Sequence, residues 1–365
     1  MTAPATTAAA APNAGGAAGR LSWLDRLLPI WIGLAMAAGL LLGRAIPNLD
    51  DGLDTLRVGQ TSLPIAVGLL AMMYPVLAKV RYTAVNRVVA DRRMLLSSLV
   101  LNWLIGPALM FALAWLMLPD LPAYRTGLII VGLARCIAMV LIWNDLACGD
   151  REAAALLVAL NSVFQILAFA VLGWFYLTVL PHWLGLHTSA LDVSIGDIAK
   201  SVGIFLGVPL LGGFITRTLG EKARGRDWYE SRFVPRIAPV ALWGLLFTIV
   251  VLFALQGHTI TGRPLDVARI ATPLLAYFAL MWTGAFFLGH KLRLPYPRAA
   301  TLAFTAAGNN FELAIAVAIG VFGVTSGQAL AGVVGPLIEV PALLALVYIA
   351  LRLRQRMSWP KETTG

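Results

Sequence analysis

The sequence predicts an all-α polytopic membrane protein, with ten transmembrane helices in two inverted five-helix repeats and with helices four and nine broken and crossing. Three observations carry this expectation. The 365-residue chain is 59% hydrophobic and 13% charged, with a mean hydropathy of +0.81, whereas soluble domains are about 45–50% apolar and about 25% charged. Its apolar residues are gathered into stretches of about 20, the length that crosses about 30 Å of hydrocarbon. Its basic residues crowd the flanks of alternate stretches. An ordinary soluble enzyme is excluded, because a domain of this size leaves too much of its chain exposed to hide so much apolar surface.

The ten stretches are residues 27–46, 62–79, 95–118, 126–147, 154–180, 198–216, 237–256, 270–290, 299–323 and 329–351. None has the strict alternation of a barrel strand, so each reads as a helix. They divide the chain into a disordered cytoplasmic tail (1–22), a first repeat (23–190), a second repeat (191–355) and a cytoplasmic tail (356–365). The first tail is Ala/Gly/Thr/Pro-rich and has no basic start, so it does not read as a cleaved signal peptide.

The chain carries 28 Lys and Arg against 18 Asp and Glu, a net charge of +10. Of the 28, 21 flank alternate spans on one side. Arg44, Arg57, Arg125, Lys200, Arg263 and Arg269 flank the other side, and Arg135 lies inside a span. The positive-inside rule places both termini in the cytoplasm. The charge sits on short loops, so it is an orientation signal rather than a nucleic-acid surface. Cys136 and Cys148 would lie about 18 Å apart on one helix and form no disulfide framework. There is no CxxC, HExxH, P-loop or dinucleotide-binding glycine motif, and the four histidines lie at or outside span ends. No enzyme and no cofactor are expected.

The repeat is read from two overlays. Gly33–Ile46 lies on Gly203–Thr216, and Gly132–Val140 lies on Gly308–Ala316. The second overlay makes Cys136 and Glu312 equivalent and brings them together near a pseudo-two-fold axis. Inverted repeats with interrupted helices are a common way to build a midplane transport site.

Ionisable groups inside spans cost about 2.5–3.5 kcal/mol each on insertion scales and mark candidate sites. Arg135, Glu312 and Glu339 qualify. Asp145 and Asp150, near a span end, read as structural. Arg135 precedes Cys136, and positive charge favours a reactive thiolate. Adjacent helix positions point about 100° apart, so Cys136 is either a reactive thiol or a small buried hydrophobe. Cys148 reads as the latter. Gly308-Asn309-Asn310-Phe311-Glu312 reads as a helix break, because paired amides are poor helix formers and need partners in lipid. Pro336 and Pro341 flank Glu339, suggesting a kinked helix presenting a carboxylate, with an Arg135–glutamate ion pair as the alternative. Asn161 reads as a site amide or interhelical glue, and Trp143 as a site residue or interfacial anchor.

At these residues the sequence resembles the arsenite-efflux permeases of the arsenical-resistance-three family, within the bile acid/arsenite/riboflavin transporter superfamily. The segments that carry the resemblance are Gly68–Lys79, Asn102–Gly106, Tyr124–Asp150, Ala159–Gln165, Ala306–Ala316 and Gly332–Pro341. The run ARCIAMV followed by WNDLACGD is the most specific of them. The resemblance implies a ten-span plasma-membrane carrier that expels As(III) on the proton gradient, with the proton as coupling ion. It implies an essential cysteine at Cys136, its neighbouring arginine at Arg135, an essential acid at Glu312, and further polar positions at Trp143, Asn161, Asn310 and Glu339. Cys136 would ligate As(III), Asn309, Asn310 and Asn161 would hydrogen-bond its hydroxyls, and Glu312 would carry the proton. The nearest alternative is a sodium-coupled organic-anion symporter of the same superfamily. An intramembrane enzyme would need a base or metal cluster facing Cys136. Whether antimonite is carried, and the oligomeric state, are not legible in the sequence.

Overall fold

A computed structural model describes residues 27–46, 57–58, 61–80, 92–186 and 194–360. It is built almost wholly of helices. In chain order they are α1 (Leu28–Ala45), α2 (Leu63–Ala78), α3 (Arg92–Met117), α4 (Pro122–Leu133), α5 (Val140–Leu146), α6 (Arg151–Trp183), α7 (Ile195–Arg224), α8 (226–262), α9 (Pro264–Lys291), α10 (Tyr296–Ala307), α11 (Phe311–Phe322) and α12 (Gly327–Arg356). One antiparallel pair of two-residue strands, Arg57–Val58 and Thr61–Ser62, precedes α2. Six helices, α3, α6, α7, α8, α9 and α12, are long and apolar enough to cross a membrane. The expected tail 1–22 and the expected repeat boundary at 190 lie outside the described residues.

Four of the long helices widen locally into a π turn, at Leu101–Ile105, Phe175–Val179, Gly203–Gly207 and Tyr229–Phe233. In each case a proline follows two residues later: Pro107, Pro181, Pro209 and Pro235. Proline has no N–H, and its ring crowds the carbonyl four residues back. That carbonyl falls at the centre of each π turn, so the turn opens where the ring presses and the helix continues. α12 likewise runs unbroken through Pro336 and Pro341.

The helices pack in two groups. α1, α2, α7 and α8 pack on one another, while α3, α4 and α9–α12 form the second group, with α6 against α10. The first turns of α7 bridge the groups by packing on α6 and α11. Small residues permit the close approaches, as expected where no hydrophobic force drives helices together. A Cβ on Gly39 of α1 would lie 2.6 Å from the Val250 carbonyl oxygen of α8. The outer faces carry exposed Leu116, Leu167, Leu211, Trp243 and Phe247, as suits side chains that face hydrocarbon.

Candidate functional site

The sequence expects single helices over 126–147 and 299–323, each interrupted. In the structure α4 stops at Leu133 and α5 begins at Val140, while α10 stops at Ala307 and α11 begins at Phe311. The extended residues between them meet. Arg135 and Asn309 form an isolated antiparallel bridge. The Cys136 amide donates to the Gly308 carbonyl at 3.3 Å, and the Asn310 amide donates to the Ala134 carbonyl at 3.0 Å. Backbone groups freed by a helix break must find partners away from water; here each break supplies the other's.

These bonds are reciprocal about Arg135 and Asn309: Cys136 is bonded to Gly308, and Asn310 to Ala134. Cys136 and Asn310 share a local role. The Asn310 Oδ1 accepts from the Leu313 amide at 3.0 Å and caps α11. The Cys136 Sγ accepts from the Val140 amide at 3.3 Å where α5 begins.

Arg135 is wholly buried. Its Nη1 donates to the Tyr277 hydroxyl of α9 at 2.7 Å and to the Ala306 carbonyl at 3.4 Å, and its Nη2 donates to the Gly132 carbonyl. The guanidinium is thus held by neutral oxygens, where the sequence leaves a Glu312 or Glu339 ion pair open. Gly106 of α3 makes room for this pair, since a Cβ there would lie 2.8 Å from Arg135 Nη1 and 3.1 Å from the Tyr277 hydroxyl. The Arg135 amide donates to Gln165 Oε1 of α6 at 2.9 Å.

Glu339 is buried on α12 and accepts from the Asn309 amide at 3.3 Å through Oε1. Glu312 lies in the first turn of α11 and is partly buried. Arg135, Cys136, Asn309, Asn310 and Glu339 therefore gather at one crossing, and Glu312 follows Asn310 by two residues. Asn161 lies one helical turn before Gln165 on α6 and is buried. Trp143 is also buried, in α5. Asp145 and Asp150 are structural, as expected. Asp145 takes two bonds from Arg151 at 2.6 and 2.7 Å. Asp150 caps α6 by accepting from the Ala153 amide at 3.0 Å.

Sequence reading missed Gln165 and Tyr277. Gln165 carries one signal, an amide four residues after Asn161 in an otherwise apolar span. Tyr277 carries none that separates it from an ordinary membrane tyrosine. A cavity of about 610 Å³ lies elsewhere, among Leu121, Tyr124, Gln256, Arg263, Ser326 and Leu330. It includes none of the crossing residues. No group of three His, Cys, Asp or Glu able to hold a metal is present among the described residues. The crossing offers one soft sulfur, two carboxylates and several amides around a buried cation, a set suited to a small, thiophilic, hydroxylated solute.

Comparison with known proteins bears on that solute. The model of the Sodium Bile acid symporter family matches residues 66–263. The chain is 56% identical over 345 residues to the arsenical-resistance protein Acr3 of Corynebacterium glutamicum, covering 94% of this chain and 93% of that protein. It is 37% identical over 357 residues to the uncharacterized transporter slr0944 of Synechocystis sp., covering 93% and 91%. It is 31% identical over 344 residues to the arsenical-resistance protein Acr3 of Alkaliphilus metalliredigens, covering 92% and 94%.

Proposed function

The chain belongs to the Sodium Bile acid symporter family, and from that premise we propose that it is a secondary transporter that extrudes arsenite and confers arsenic resistance. It is a carrier and not an enzyme. The single observation that carries the reading is the 56% identity, over nearly the whole chain, to an arsenical-resistance protein. The crossing of α4–α5 with α10–α11 supports it by offering Cys136 as a sulfur ligand beside buried amides and carboxylates.

Arsenite is uncharged near neutral pH and thiophilic, so one thiol with polar neighbours suffices to recognise it. Cys136 bonds arsenic. Asn309, Asn310 and Asn161 hydrogen-bond its hydroxyls. Glu312 carries the coupling proton, and Arg135 sets the charge balance. Trp143 and Glu339 complete the site. With one cysteine at the crossing no three-thiolate trap forms, which suits a carrier that must release what it binds. Antimonite, with the same valence and a similar affinity for sulfur, is a second candidate substrate.

In this reading α1, α2, α3, α4–α5 and α6 are the five spans of one repeat, and α7, α8, α9, α10–α11 and α12 are those of the other. Both termini are cytoplasmic and the membrane is the plasma membrane. The reciprocal bonds of the two breaks support the inverted relation of the halves.

The test is arsenite uptake into inverted vesicles. Uptake is expected to need the proton gradient, to ignore sodium, and to vanish in Cys136→Ala at wild-type expression. Glu312→Gln is expected to lose pH-driven exchange. Uptake surviving a protonophore refutes proton coupling. A requirement for sodium, with no arsenite flux, favours the organic-anion symporter of the same family.

A further inference from the structure

Gln165 uses one end of its side-chain amide to hold the crossing, and we propose that the other end is a substrate-binding donor through which the site reads the hydroxyl groups of arsenite. The inference rests on the arsenite reading above and assigns a residue that reading does not use.

Gln165 is fully buried on α6. Its Oε1 accepts from the Arg135 amide at 2.9 Å. Only the oxygen of an amide can accept, so that bond fixes which end is the nitrogen. The Nε2 then has no hydrogen-bond partner among the described residues. Asn310 repeats the pattern. Its Oδ1 caps α11 through the Leu313 amide, which fixes Nδ2 as a donor, and Nδ2 is unpartnered. Arg135 Nε, which can only donate, is unpartnered as well.

These three N–H groups come from α6 and from the two breaks. The elements are tied together at the crossing, Gln165 to Arg135 and Asn310 to Ala134. Nearly all buried donors in proteins find an acceptor, and a stranded one is costly. Stranded donors on elements tied together in this way suit acceptors that arrive with a ligand. Asn161, one turn before Gln165, adds another unpartnered amide nitrogen, and Asn309 adds an unpartnered amide.

Arsenite supplies the acceptors. When the Cys136 thiol takes arsenic, the S–H bond and one As–OH bond break, an S–As bond forms, and the thiol proton leaves with the hydroxide as water. Nothing is oxidised or reduced. Two hydroxyl oxygens remain on arsenic, and the Gln165 Nε2 donates to one of them. The site thereby selects As(III) species that keep their hydroxyls. Dimethylarsinous acid, with methyls in place of two hydroxyls, still bonds Cys136 but then has no hydroxyl left for the Gln165 donor.

Inverted vesicles give the test, with the KM for arsenite and the inhibition constant of dimethylarsinous acid measured for wild type, Gln165→Glu and Gln165→Leu. Glu at 165 keeps an acceptor for the Arg135 amide and loses the nitrogen. Gln165→Glu is expected to express normally, to raise the arsenite KM about tenfold, the scale of one lost buried hydrogen bond, and to leave kcat and the dimethylarsinous acid constant within about twofold. Gln165→Leu is expected to shift the same ratio in the same direction; if it does not reach the membrane, Gln165→Glu decides alone. Both constants rising together, or neither changing in Gln165→Glu, overturns the assignment and leaves Gln165 a purely structural brace. Wild-type vesicles that take up no arsenite overturn the transport reading itself, a different result from a wild type that works and a variant that matches it.

Discussion

Arg135 is the residue on which the site turns, because its charge is buried and its partners are neutral. A guanidinium out of water needs oxygens to receive its donors. The Tyr277 hydroxyl supplies the best-formed contact, at 2.7 Å. Tyr277→Phe removes that oxygen and little else, since the ring that packs beside the guanidinium, 5.9 Å from the Arg135 Cζ to its centroid, stays. A hydrogen bond to a charged group contributes about 1.5–3 kcal/mol. The variant is expected to melt several degrees lower in detergent and to transport arsenite more slowly; an unchanged melting point would mean that the two carbonyls alone hold Arg135. The sequence marks Arg135 plainly, as an intramembrane charge. It hides Tyr277, because the contact joins residues 142 positions apart and nothing local to either one announces the other.

At the scale of elements, two glycines show how closely the broken helices are fitted, and they predict different failures. A Cβ on Gly308 would lie 3.1 Å from the Cys136 Cβ and 3.2 Å from the Phe304 carbonyl oxygen. The nearest side-chain atom belongs to the proposed arsenic ligand, and a few tenths of an ångström of movement relieve the crowding. Gly308→Ala is expected to fold and reach the membrane while the arsenite KM rises severalfold. A Cβ on Gly335 would overlap the Phe311 ring, where α12 lies against α11. Overpacking of this kind costs about 1–3 kcal/mol or more, so Gly335→Ala is expected to lower yield and melting temperature before affinity can be measured. Measuring both quantities for both variants checks the contrast, and equal loss of folded protein in the two would refute it. The breaks themselves are legible in the sequence, since Gly308-Asn309-Asn310 cannot pass as lipid-facing helix. Their register is not. Gly and Leu are too common in spans to fix an overlay, and only the two backbone bonds show which residues of the breaks meet.

For the molecule as a whole, the sequence is most informative where the physics is least specific. Length and apolarity set the long helices, because any chain that crosses hydrocarbon must meet the same thickness. Charge asymmetry sets the expected orientation. The two packing groups are not legible, since apolar faces toward lipid and toward other helices use the same residues, and only small-residue approaches such as Gly39 against Val250 separate them. The orientation has a direct readout. A fluorescent protein fused after Gly365 is expected to glow, as it does in the cytoplasm, and a periplasmic phosphatase at the same position is expected to stay inactive. The opposite pair of results would invert the topology and make the outward carrier an inward one.

The mutual bonding of the two breaks also bears on how the chain is made. The residues that complete Ala134 and Cys136 are Asn310 and Gly308, which leave the ribosome well after them. At about 5–20 residues per second, the first half waits for roughly 10–35 s with two peptide groups unsatisfied inside the bilayer. The pairing of the two breaks therefore forms only once the second has been made, so the crossing is closed late in the making of the chain.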